Sequence, residues 1–198
     1  MNMLRMMLLP VAVSFLLSGP SAYSQEKSGD KDAGKTSNFN AEFLGQLQFI
    51  KGRLMDLHQA MSQEKATWRP AEGVRSVSEV YLHAALANYF LINYLGLEVP
   101  EDIKPQMDPA KWDKKTTNKP EIKQIMERSF SDLTSAAKKL TDADLERTVN
   151  VFGMDMSVRN FMVSSLNHLH EHLGQAIAYA RSTGVTPPWS AKAQEQTN

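Results

Sequence analysis

Five histidines stand in the chain, and three of them crowd into the stretch Asn167-His168-Leu169-His170-Glu171-His172. His168 and His172 are spaced i, i+4. On a helix that spacing puts both imidazoles on one face, one turn apart, where both can reach a single ion about 2 Å from each nitrogen. His170 lies about 200° around the helix from His168, so it belongs to another face and reads as solvated. Two imidazoles are only part of a site, because a transition metal held by protein takes three or four ligands. His83 is the best third candidate, since Val80, Ala87 and Phe90 share its face mid-way along a helical segment and turn it towards an apolar interior. His58 reads as an ordinary core or surface histidine. Three protein ligands leave coordination positions for water or substrate, which separates an open catalytic site from a closed structural one.

Other chemistries are excluded by residue type or spacing. The chain has no Cys, so thiolate nucleophiles, disulfides, Fe–S clusters and Cys-ligated zinc are all ruled out, leaving His, Asp and Glu as metal ligands. His170-Glu171 opens like a zincin motif, but Gly174 stands where the second His is required. A carboxylate-bridged di-iron bundle needs Glu-x-x-His pairs, whereas Leu82 follows Glu79 and Gly174 follows Glu171 at that distance. There is no Gly-rich phosphate loop and no G-x-S-x-G elbow. With 22 Lys and Arg against 22 Asp and Glu, the basic footprint that nucleic acid or an anionic membrane requires is missing. A neutral or small-molecule partner is expected instead.

These residues need elements to position them, and the 198-residue chain is long enough to bury one sizeable core. Four segments carry helical periodicity, and none shows sustained period-2 alternation. The first runs from about Phe39 to Met61, with Phe43, Leu47, Ile50, Leu54, Leu57 and Met61 on one stripe. The second starts at Ser76-Val-Ser-Glu79, which has the form of a capping box, and ends near Gly96. A long connection follows from Leu97 to Asn118, with Pro100, Pro105, Pro109 and Trp112. The third helix opens at Asn118-Lys-Pro-Glu121 and carries Ile122, Ile125, Met126, Leu133, Ala137 and Leu140, and turn-like sequence begins at Thr141. The fourth runs from about Ser157 to Thr183, with Phe161, Leu166, Leu169, Leu173 and Ile177 inward and Gly184 and Pro187-Pro188 as stop signals. The expected architecture is an all-α four-helix bundle over residues 38–185, with a long crossover connection between its second and third helices and a disordered tail over 186–198.

Ahead of the bundle, residues 1–24 read as a secretory leader: Arg5, the apolar run Met6–Leu17, and the small-x-small site Ala22-Tyr23-Ser24. The run is broken by Pro10 and Ser14 and is too short to make a stable membrane anchor. Residues 25–37 are polar and rich in Gly, Ser and Lys, the composition of a flexible linker. Cleavage after Ser24 removes Arg5 as the only charged residue of the leader, so the exported chain, periplasmic or secreted, is near neutral.

On three stretches the chain resembles the DinB/YfiT-like superfamily of four-helix-bundle, metal-dependent proteins. Trp68-Arg-Pro-Ala-Glu-Gly-Val-Arg-Ser76 is similar to the family's entry to its second helix, followed at the expected place by His83. Asn167-His168-x-x-x-His172-x-Gly174-Gln175 is similar to its Asn-His-x-x-x-His-Arg-Gly-Gln signature, with Leu173 in place of Arg, and Ala178-Tyr179-Ala180-Arg181 continues the likeness. The resemblance implies one divalent transition metal per chain (zinc, nickel or iron) held by His83, His168 and His172 in an apolar cleft. It further implies hydrolase chemistry or thiol-dependent transfer. Gln175 one turn beyond His172 is a candidate to hydrogen-bond an imidazole or orient a ligand, Tyr179 to pack nearby, and Trp68 and Trp112 to cap the cleft. The alternatives are a non-catalytic metal-binding protein and a metal-free helical interaction module. Helix faces of such a bundle also allow two copies to pair as a homodimer. If the leader is processed as read, N-terminal sequencing of chain recovered from the export compartment starts at Gln25, and a chain still beginning at Met1 there overturns the cleavage assignment.

Overall fold

The computed structural model describes residues 38–195; the expected leader and linker lie outside them, as does the end of the tail. In chain order the elements are α1 (Asn38–Ala60), α2 (Val77–Tyr94), the one-turn α3 (Pro109–Trp112), α4 (Lys119–Ala137), the one-turn α5 (Asp142–Leu145), strands β1 (Thr148–Val151) and β2 (Met154–Ser157), α6 (Val158–Ser182) and α7 (Pro188–Glu195). The long helices start where polar side chains meet the orphan amides of a first turn. Ser76 Oγ accepts from the Glu79 amide while the Glu79 carboxylate accepts from the Ser76 amide, completing the capping box ahead of α2. Asn118 accepts from the Glu121 amide ahead of α4, with Pro120 tolerated in the first turn, and Ser157 accepts from the Asn160 amide ahead of α6. Gly184, at φ +77°, stops α6 in the left-handed conformation that lets the Val185 amide donate back to the Ala180 carbonyl at 2.8 Å.

The four long helices make a bundle in which α2 packs against α4 and α6, and α1 packs against the same two. Consecutive helices α1 and α2 therefore occupy opposite corners, as do α4 and α6. The segment between α2 and α4 is long, as expected, and it joins helices that pack side by side; the diagonal crossings fall to residues 61–76 and 138–157. α2 is apolar nearly all round, with Val80, Leu82, Ala85, Leu86, Tyr89 and Ile92 all buried. A helix buried on every side is the centre of its fold, so α2 is where a polar group is most sheltered from water. The stripe expected on α1, Phe43 to Met61, is buried throughout. On α4 the core also takes Phe130, and on α6 it takes Val158, Met162, Ala176 and Ala180, while Phe161, Leu166 and Ile177 are only half-buried.

Besides the place of the crossovers, three features differ from the sequence expectation. Residues 148–157 form an antiparallel hairpin with register Thr148↔Ser157 to Val151↔Met154. Its two-residue turn, Phe152-Gly153, has φ +52° and +84°, the mirror-image turn whose twist suits a hairpin. Asn150 pins that turn, accepting from the Gly153 amide at 3.1 Å and donating to Asp155 Oδ1 at 2.6 Å. Trp112 is a core residue and caps no cleft: it is buried, and its indole N–H donates to the Leu82 carbonyl at 2.9 Å. Residues Pro188–Glu195 form α7 against α1, where a disordered tail was expected, with Arg53 of α1 stacked 4.3 Å from the Trp189 ring.

His58 is buried at the end of α1, edge-on to Tyr81 at 5.0 Å, and its Nε2 has no hydrogen-bond partner. Burial, reinforced by Lys119 and Lys123, holds its pKa down from 6.5 to about 4. The unfolded chain therefore binds this proton from pH 6.5 downward, whereas the fold resists it until about 4, so stability is lost as pH falls through that window. Thermal denaturation of metal-free protein should show the midpoint dropping over that range, with a shallower slope in His58→Leu; an equal slope in the variant rejects the assignment.

Candidate metal centre

His83 projects from the middle of α2, and His168 and His172 from successive turns of α6, the helix packed beside it. One ligand-capable nitrogen of each lies within 4.8 Å of the others. The ring centroids are 5.3 Å apart for His83 and His168, 4.8 Å for His83 and His172, and 4.5 Å for His168 and His172. Among the described residues this is the only group of three or more His, Asp or Glu side chains so placed, and no fourth ligand joins it. His170 is exposed on another face, its Nδ1 3.0 Å from the Leu166 carbonyl, and His58 lies outside the group.

The hydrogen bonds around His172 fix its tautomer by elimination. The Arg75 carbonyl can only accept, so the Tyr179 hydroxyl donates to it, at 3.0 Å. Tyr179 must then accept from the Gln175 amide nitrogen, at 2.8 Å, which turns Gln175 Oε1 towards His172 Nδ1 at 3.1 Å. That oxygen can only accept, so His172 carries its proton on Nδ1 and presents a bare lone pair at Nε2. His172 Nε2 is buried and has no partner. A buried acceptor left unmatched costs stability unless something electropositive meets it, and a cation among three imidazoles supplies that partner. The donor set therefore fits a divalent transition metal.

A second support holds His83. Its Nδ1 faces Asp113 Oδ1 at 3.3 Å, an electrostatic contact outside hydrogen-bond geometry, and Asp113 Oδ2 accepts from the Arg75 guanidinium at 2.7 Å. Burial pushes the Asp113 carboxyl up, but His83 and Arg75 more than offset this and hold it below the usual carboxylate range, so it stays ionised. Arg75 thus serves both imidazoles, His172 through its backbone carbonyl and His83 through its side chain. His168 has the weakest support, with Nδ1 4.0 Å from Glu171 Oε2. Desolvation, then the neighbouring His172 and His83, lowers the His168 pKa to about 4, and desolvation likewise lowers that of His172. Both are neutral, ligand-ready imidazoles at neutral pH.

His83 and His168 face a cleft of about 440 Å³. One wall is the hairpin, through Val151, Phe152, Met154 and Met156, and the other is made by Phe90 of α2 and Phe161 of α6. Of the residues singled out in the sequence, Gln175 touches His172, Tyr179 holds Gln175, and Trp68 packs edge-on against the Tyr179 ring at 5.2 Å without lining the cleft. Sequence reasoning missed Asp113, Arg75 and the hairpin. Arg75 does fall within the Trp68–Ser76 stretch, immediately before the cap of α2, while Asp113 sits on the long connection and meets His83 only through the fold.

Residues 46–176, well over half of the chain, match the model of the DinB superfamily. The chain belongs to that superfamily. Its bundle is similar to two DinB-like proteins of known structure. One, from Bacillus cereus, has TM-score 0.65 and 20% identity over 75% of this chain and 95% of that one. The other, from Bacillus subtilis, has TM-score 0.58 and 18% identity over 73% and 93%. It is also similar to YfiT from Bacillus subtilis, described as a probable metal-dependent hydrolase with an unusual four-helix bundle topology, with TM-score 0.61 and 16% identity over 80% and 95%. At these identities the likeness to solved structures speaks for the DinB fold. A search of curated proteins gives no match.

The supports around the imidazoles carry their own test. Removing a partner that orients a ligand typically weakens metal binding by about 10–100-fold. Asp113→Asn and Gln175→Leu should each lower zinc affinity by that order in a competition titration with a chromogenic chelator, with helical circular dichroism unchanged. Affinities equal to wild type reject the supporting roles.

Proposed function

We propose that this DinB-superfamily chain holds one divalent transition metal through His83, His168 and His172 and uses it for hydrolysis of a small-molecule substrate. The observation that supports this most is the trio of imidazoles, with nitrogens within 4.8 Å of one another and the buried His172 Nε2 lone pair without a hydrogen-bond partner. When bound, the ion supplies Lewis acidity and an activated water nucleophile. The chain's own residues do the rest: Gln175 and Asp113 orient two imidazoles, Arg75 keeps Asp113 ionised, and the apolar walls strip water from whatever enters. Three ligands without a fourth favour an open, catalytic coordination sphere over a closed structural one. Hydrolysis is preferred over thiol transfer because no charged side chain lines the cleft to hold the ionic groups of a small polar thiol. The description of YfiT as a metal-dependent hydrolase supports the same reading.

The site of action is proposed to be outside the cytoplasm, on the strength of the leader-like residues 1–24. No helix among the described residues is long and apolar enough to cross a membrane. Zinc, nickel and iron all suit three imidazoles.

Elemental analysis of untagged protein, beside a His168→Ala/His172→Ala double variant, tests the proposal. The expected result is about one transition metal per chain, absent from the variant, with turnover on a panel of esters and amides that is lost in His83→Ala. A folded wild type with no metal above background rejects the metal centre. Stoichiometric metal without turnover on any ester, amide or thiol acceptor favours the non-catalytic metal-binding alternative.

A further inference from the structure

The walls of the cleft restrict what the three imidazoles can act on. Among its lining residues there is no Asp, Glu, Lys or Arg. Apart from the two histidines, its polar side chains are Asn88, Ser164 and Ser165, and each already donates a hydrogen bond within the protein. Asn88 Nδ2 donates to Ser129 Oγ at 3.1 Å, Ser164 Oγ to the Asn160 carbonyl at 3.0 Å, and Ser165 Oγ to the Phe161 carbonyl at 2.9 Å. A molecule in the cleft thus meets mostly hydrocarbon and thioether surface, broken only by these few neutral polar groups, and a metal-binding face where His83 and His168 stand.

The outer wall strengthens the point. Phe152 is 75% exposed and Met154 59% exposed, although both belong to a hairpin whose Val151 is buried. Large apolar side chains left in water at the mouth of an apolar cleft mark a ligand-binding surface. Thioethers suit such a wall, since unbranched methionine adapts to chains of different shape.

Resting on the metal reading above, we infer that the cleft takes an uncharged amphiphile: a single metal-ligating carbonyl or hydroxyl head at His83 and His168, and an unbranched hydrocarbon tail lying between the hairpin and Phe90 and Phe161. Acyl esters and amides of medium-chain acids belong to this class; short, charged or zwitterionic substrates do not. Burial of the tail provides the selectivity, because each methylene removed from water adds to affinity while a terminal charge would have to be desolvated without a partner.

The experiment uses the zinc-loaded chain and three hydroxamates that share one chelating head: acetohydroxamate, octanohydroxamate, and suberic monohydroxamate, which carries a carboxylate at the far end of a chain of equal length. By isothermal calorimetry, octanohydroxamate, with its six additional methylenes, should bind on the order of a thousandfold more tightly than acetohydroxamate, given about a threefold to fourfold gain per well-buried methylene. Suberic monohydroxamate should gain little. Met154→Glu, an exposed position that the fold tolerates, and Met156→Glu should each remove most of the chain-length gain while leaving acetohydroxamate affinity and zinc content unchanged. Equal affinity for the short and long uncharged probes overturns the tail assignment and leaves the metal reading standing. Absence of zinc-dependent binding by any of the three overturns the metal reading, and the head-group assignment with it.

Discussion

Three imidazoles with nitrogens inside 4.8 Å cannot all be charged, and much of this molecule follows from keeping His168 and His172 neutral. Protonating His168 or His172 places a cation in a dry setting beside neighbouring imidazoles, and burial is the leading cause of the lowered pKa at both. A neutral His172 points its Nε2 lone pair inward and its Nδ1 proton outward, and that proton needs an acceptor. Gln175 serves His172 and the ionised Asp113 faces His83. Those acceptors must be held in turn, and Arg75 holds both lines at once, through its carbonyl by way of Tyr179 and through its guanidinium. The turn before α2 is therefore as much a part of the site as the helices that carry the histidines.

The bundle's connectivity serves the same need. With α1 and α2 at opposite corners, α2 is flanked by α4 and α6, by the short α3, and by the hairpin. A histidine in the middle of such a helix is sheltered on nearly every side, yet His83 still opens onto a cleft because the hairpin leans over α2 and α6 without filling the space between them. α1 and α4 contribute burial and no ligand, and the Asn40 side chain on α1 donates to the Ala137 carbonyl to close the end of α4.

What could be read in advance was whatever short-range chemistry dictates. Ser76, Asn118 and Ser157 announce their helices because a cap is a contact within a few residues, and His168 and His172 announce a shared face because helical periodicity alone places them. His83 was legible through the apolar residues around it. The hairpin was not: its strands have four residues each, Thr148 and Asn150 are exposed alternates too few to mark a period, and its turn is Phe-Gly where Asn-Gly would have signalled it. Trp112 looked available to the cleft because a Pro-rich connection leaves no periodic face to read, and only the fold brings its N–H to the Leu82 carbonyl. Asp113 and Arg75 escaped for the same reason, being 38 positions apart and meeting only once the connection lies across the start of α2.

The hairpin is closed on itself. Its base is tied by the Val158 amide to the Arg147 carbonyl at 2.9 Å, Arg147 is tied in turn to the Leu95 carbonyl at 3.0 Å, and its strands touch α2 and α6 without supplying a ligand or a ligand's support. It can accordingly lengthen, shorten or change its side chains while the helices, the imidazoles and the Arg75 links keep their places. Inheritance can thus act on this protein in two independent parts: a histidine cluster whose members and supports come from distant positions that must change together, and an exchangeable visor that forms one wall of the cleft beside it.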